Sequence, residues 1–180
     1  MKGLFGKYAV IGVVVLLIGL AVLARLLPHP ANFAPVAAVA IFGGAVLPRR
    51  LAVITPLLAM VVSDVIIGMY DWRIMCTVWA CYGVTAYVSN CVLKKPTVVR
   101  GMALTLAASC FFFAVTNFAV WAASGMYAHT WQGLSDCYYM ALPFFRNTIL
   151  SDGLYVTLLF GIFAAANIVI RWRRPHKLQV

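Results

Sequence analysis

Residues 8–27 read YAVIGVVVLLIGLAVLARLL, twenty positions carrying a single charge, Arg25. At about 1.5 Å per residue, such a run coiled as a helix crosses the roughly 30 Å hydrocarbon core of a bilayer. Lys2 and Lys7 precede it and Pro28 and Pro30 follow it, so both ends of the helix are punctuated. The same flank has the look of a secretory signal, with Val22-Leu23-Ala24 as the cleavage site. Tyr8–Ala24 is long for a signal core, however, and the run is read as a retained span.

Five further stretches repeat the pattern, over about 33–47, 51–69, 74–93, 102–124 and 147–170. In the second, the apolar run Val36–Leu47 is too short to cross alone. It is entered through Pro28-His29-Pro30-Ala31-Asn32-Phe33-Ala34-Pro35, which must run extended or dip into the protein. Irregular backbone at that depth is tolerated only when buried or lining a cavity. The expectation is an all-α integral membrane protein, one six-transmembrane-helix bundle forming a single domain over residues 1–180.

Composition agrees. Hydrophobic residues make up 64% of the chain and charged residues 10%, against about 45–50% and 25% in soluble domains. A soluble enzyme, a disordered chain and a nucleic-acid binder are thereby excluded, despite the net charge of +10. The expected macromolecular surroundings are a lipid bilayer and no nucleic acid.

Where the charges fall sets the orientation. Lys2, Lys7, Arg49, Arg50, Lys94, Lys95, Arg100, Arg171, Arg173, Arg174 and Lys177 share one side, and only Arg25, Arg73 and Arg146 the other. Positive charge marks the cytoplasmic side, so both termini are expected to be cytoplasmic. The four acids, Asp64, Asp71, Asp136 and Asp152, then lie toward the outside with His29 and His129, while His176 is in the cytoplasmic tail. Ionisable groups within a span usually face a bundle interior or a watery cavity. Asp64 and Asp152 are therefore read as cavity residues, the alternative being ion pairs with Arg73 and Arg146. Asp71 and Asp136 read more simply as surface acids.

The segment Gly125–Phe145 reads as a long outer loop. With Trp72 it gathers Tyr127, Trp131, Tyr138, Tyr139, Phe144 and Phe145 on the outer side, either as an interfacial belt or as a face for a partly apolar ligand. Short basic segments join the spans on the cytoplasmic side, with no phosphate-binding loop or nucleotide-hydrolysis motif. Of the five cysteines, Cys91 and Cys110 read as packing residues. Cys76, in the first turn of the fourth helix beside Arg73, has the environment that favours thiolate. A disulfide with Cys137 on the same oxidising side is the rival. Cys81 lies deeper, next to Tyr82.

The stretch from Pro28 through Ala38, then Phe42-Gly43-Gly44 and the arginine pair Arg49-Arg50, resembles a family of small bacterial membrane proteins. These are the substrate-binding S components of energy-coupling-factor (ECF) vitamin transporters. Pro56 to Met60 through Ser63-Asp64, the Tyr82 segment, and Leu142-Pro143-Phe144-Phe145-Arg146-Asn147-Thr148 through Asp152 continue the likeness. Within that group, a cysteine at the outer start of the fourth helix is similar to the BtuM-type cobalamin transporters, whose sulfur ligates the corrin cobalt and can displace its cyanide.

The resemblance implies a non-enzymatic uptake transporter of the bacterial inner membrane, with cobalamin as transported ligand and no resident cofactor. It implies an outward pocket built from His29, Asn32, Asp64, Asp71, Arg73, Tyr82, Arg146, Asn147 and Asp152, with Cys76 or Cys81 on the cobalt. Another small-molecule cargo on the same fold, and a non-transporting scaffold, are the alternatives. One feature departs from the group. S components that dock on a shared energising module resemble one another in an Ala-x-x-x-Ala pattern on the first helix, and here no two of Ala9, Gly12, Gly19, Ala21 and Ala24 are four apart. Reliance on an energising ECF module is in question for that reason.

Overall fold

The computed structural model describes residues 6–173. Those residues form α1 (Lys7–Leu26), α2 (Val36–Val46), α3 (Arg49–Ile67), α4 (Trp72–Val92), α5 (Val98–Ala123) and α6 (Trp131–Arg173). Lys2, Arg174, His176 and Lys177 lie outside the described residues, as do the side chains of Lys7, Arg171 and Arg173.

Four of the helices, α1, α3, α5 and α6, are long and apolar enough to cross a membrane. Their outward faces carry residues such as Val15, Leu16, Ile66, Leu106 and Ile162, all exposed. That surface suits hydrocarbon as solvent and not water.

Helix starts follow local chemistry. Pro35 and Pro48 sit at the N-caps of α2 and α3, where a missing N–H costs nothing. Asp71 and Thr97 cap α4 and α5 by accepting from the backbone N–H of Arg73 and Arg100.

One expectation is corrected. The stretch read as an outer loop, 125–145, is mostly helix, and the connection between α5 and α6 shrinks to residues 124–130. Thr130 starts α6, its hydroxyl accepting from the N–H of Gly133. Pro143 lies inside the helix without ending it. The segment is held against α5 throughout: Tyr138 donates to the carbonyl of Ala114, Cys137 to that of Asn117, and Phe145 packs on Phe113 with centroids 4.5 Å apart.

The architecture turns on α2. All eleven of its residues are buried, and α1, α3, α4, α5 and α6 all pack on it. Its alanines and glycines let neighbours come close. A Cβ on Gly44 would lie 2.4 Å from Ser89 Cβ and 2.7 Å from the carbonyl oxygen of Ala86. Asn90, near the end of α4, donates to the carbonyls of Gly44 and Leu47 and so satisfies the end of α2. From that anchored end α2 rises only about 16 Å, half the length of α4. Above it the chain is the irregular stretch 27–35, which turns where the Phe33 N–H donates to the Pro30 carbonyl; within that turn Asn32 takes a positive φ of 60°, a conformation asparagine tolerates. A central helix of half length leaves the upper half of the bundle axis without a helix.

Candidate functional site

A cavity of about 200 Å³ occupies that upper half. Its floor is the start of α2, at Ala34 and Val36. Arg25 of α1 and Met60 of α3 form one wall, and Val78 and Tyr82 of α4 with Phe112 of α5 another. Thr148 and Asp152 of α6 close a third side, and His29, Asn32 and Tyr70 come from the connecting segments.

Arg25 is the residue that sequence reasoning left out. Its Nη2 lies 2.5 Å from Asp64 Oδ1, and its Nη1 contacts the Met60 sulfur. Trp79 Nε1 donates to the second Asp64 oxygen at 2.8 Å. Asp64 is thus fully engaged behind the wall, joining α1, α3 and α4 and holding the guanidinium at the cavity edge. The signal was present, since Arg25 is the one charge inside the run 8–27 and such charges are functional candidates by default. Asp64, read as a cavity residue, is instead an ion-pair partner behind the wall, and its pair is not Arg73, the partner named in the alternative, which bonds Asp71.

Asp152 is 2% exposed and accepts from Ser109 Oγ at 2.8 Å through Oδ2. Among the described residues no cation pairs with it; Arg146, its partner in the alternative reading, is exposed and does not line the cavity. Tyr82 stacks obliquely on Phe112, with centroids 5.1 Å apart. Tyr70, in the loop after α3, is pushed up to about 12 by burial and by the Asp64 carboxylate. It stays a phenol and a hydrogen-bond donor.

The other expected site residues do different things. Asn147 fastens the segment 27–35 by donating to the Ala31 carbonyl at 3.0 Å, and Phe33 meets Tyr155 edge-on. Asp71 and Arg73 pair at 2.8 Å on the surface, and Arg73 also donates to the Ala123 carbonyl, tying α4 to the end of α5. The hydrogen bonds from Arg73 hold the Asp71 carboxyl at about 2. Asp136 accepts from Gln132 on the surface of α6. Of the nine polar residues expected in the pocket, His29, Asn32, Tyr82 and Asp152 line it and Asp64 stands behind it.

The cysteines depart further from expectation. All five are free, and Cys137 is buried with its thiol on the Asn117 carbonyl, so no bridge joins it to Cys76. Cys76 is exposed, and Cys81 is buried without lining the cavity. At about 100° per residue, Cys76 lies roughly 160° around α4 from the cavity-lining Val78. Among the described residues no three His, Cys, Asp or Glu side chains gather as metal ligands.

Two further cavities adjoin the first. One of about 190 Å³ shares Asn32, Val78, Phe112 and Thr148 with it; the next, of about 340 Å³, shares Asn117, Val120, Ala141 and Phe144 with the second. The last reaches Met126 and Tyr127 in the α5–α6 connection. Together they outline a path from the Asp152 level to the upper end of the bundle, increasingly lined by aromatic and apolar groups.

No curated protein and no solved structure matches this sequence. The chain belongs to a family of unknown function, DUF6580, which it matches over residues 7–175.

Proposed function

We propose that this member of an uncharacterised family is a substrate-binding uptake protein of the bacterial inner membrane. In this reading it has six spans and cytoplasmic termini, and it takes a small molecule from the outer side. The observation that carries the reading is the cavity itself. A buried carboxylate, an arginine, an imidazole, an amide and two phenols converge from separate elements on one space above α2. Burying polar groups is costly unless they are satisfied, and packing alone would have filled the axis with a full-length apolar helix. The opening toward the α5–α6 connection and the placement of basic residues support an outward mouth.

The cargo we favour is smaller than a corrin. Cobalt ligation by Cys76 or Cys81 needs one of those sulfurs at the cavity, and both lie off it. A space of about 200 Å³ is also below the 300–1,000 Å³ typical of drug-sized ligands.

The test is mass spectrometry of small molecules released on denaturing protein purified in mild detergent. A compound enriched in wild type and lost in Val78→Phe, which fills the cavity without removing a polar group, is the expected result. Equal recovery from both proteins, or none from either, overturns the reading. Cyanocobalamin is the control: a spectral shift with wild type that disappears in Cys76→Ser or Cys81→Ser would restore the corrin as cargo.

A further inference from the structure

The geometry points to a small zwitterion, a molecule bearing a carboxylate and an ammonium group within amino-acid size, as the ligand class of this cavity. The inference rests on the pocket reading above and goes beyond it by assigning charge to the ligand's two ends.

One end follows from α2. Its N-cap is Pro35, which offers no side-chain hydrogen bond, so the first backbone N–H groups of the helix have no capping acceptor. They sit at the cavity floor with the positive end of the helix dipole. A half-helix whose N-terminus stops at the centre of a membrane bundle is a ready anion seat. Arg25 stands on the neighbouring wall, its charge matched by Asp64 but its guanidinium still lining the space.

The other end follows from Asp152. It lines the cavity from α6, is 2% exposed, and has one oxygen on Ser109 and no cation on the other. Arg25 is already paired, and His29, which lines the same cavity, makes no bond to Asp152. A buried carboxylate stays ionised only when it is paired, and a ligand ammonium against the second Asp152 oxygen would supply the partner. Tyr82 and Phe112 line the same cavity and pack on each other, so that they can cover an apolar or aromatic middle and offer the ammonium a π face. Donor floor, acceptor wall and aromatic flank thus ask for both charges on one small molecule.

The experiment compares three probes of one skeleton on the full-length protein in detergent: phenylalanine, its decarboxylated analogue phenethylamine, and its deaminated analogue 3-phenylpropionate. Binding is read by thermal stabilisation. In parallel, modification of the Asp152 carboxyl by a hydrophobic carbodiimide is read by peptide mass spectrometry, which needs no variant. Phenylalanine is expected to bind at least about tenfold more tightly than either analogue, the weight of one charged hydrogen bond. It should protect Asp152 from the carbodiimide, and Asp152→Asn should bring its affinity down to that of 3-phenylpropionate. Either analogue matching phenylalanine, or no protection by any probe, overturns the zwitterion assignment. The pocket itself is judged separately, by the molecule released in the Val78→Phe comparison.

Discussion

The ion pair between Arg25 and Asp64 is the connection on which the cavity wall depends, and its removal can be worked out from the contacts. Asp64→Leu leaves a guanidinium with 17% of its side chain accessible and no carboxylate, and it strands the Trp79 indole N–H that Asp64 Oδ2 accepts. Breaking a buried pair costs about 3–5 kcal/mol, and orphaning the indole adds about 1 kcal/mol. At about 2–4 °C per kcal/mol for a chain of this size, Asp64→Leu should lower the melting temperature by on the order of 10 °C. Arg25→Met should cost a similar amount: Asp64 keeps its bond to Trp79, but its carboxylate, 1% accessible, is left without its counter-charge. The double variant replaces both charges with apolar groups, so its loss should fall short of the sum of the singles by about 0.5–3 kcal/mol. Thermal unfolding in mild detergent, followed by tryptophan fluorescence, measures all four proteins. Strictly additive losses would refute the claim that the two side chains act as one connection.

Other predictions concern the frame around the site. Gly44→Ala places a methyl 2.4 Å from Ser89 Cβ and against the Ala86 carbonyl; the helices must part, with a loss of about 1–3 kcal/mol that circular dichroism melts will show. The Asp71 carboxyl is held at about 2 in the folded chain against about 3.9 in an unfolded one. A depressed folded value stabilises above the unfolded one and is lost as pH falls. The difference in melting temperature between wild type and Asp71→Asn should therefore be constant near neutrality and shrink from about pH 4 to 2. Membrane-impermeant maleimide added to intact cells should label the exposed Cys76 and leave the buried Cys81 and Cys137 unmodified until the protein is denatured. Labelling of Cys76 only after cell lysis would invert the proposed orientation.

Much of the frame could be read from the residues. Long apolar runs marked the helices, and the short Val36–Leu47 run after a proline-broken entry foretold the half-length α2. The helix over 131–145 was missed because hydropathy detects segments facing lipid. Gln132, Ser135 and Asp136 lower it there, Gly133 and Pro143 read as breakers, and the signal that α6 begins early, Thr130 as an N-cap, is a single residue. In the site, Asp152 was legible because an ionisable group within an apolar span faces a cavity, whereas His29, Asn32 and Tyr82, which also line it, were named only through the family resemblance. Arg25 was counted only among the outer-side charges, since sequence position alone cannot show that the end of α1 leans on α3. The misreading of Cys76 has a similar origin. Chain proximity to Arg73 said nothing about which way the sulfur points, and only the placement of Val78 and Tyr82 shows that it turns outward.

The sixth helix runs unbroken through 43 residues, about 65 Å of rod. It carries Phe144 at the entrance, Asp152 on the inner wall and Ile170 at the far end. Such a rod has little slack. On the proposed function, a ligand that draws Asp152 inward would carry the Ile170 end with it, the lost backbone bond at Pro143 being the natural pivot. In the proposed reading, occupancy of the pocket would be felt at the far end of α6, without any separate relay through the short helix at the centre.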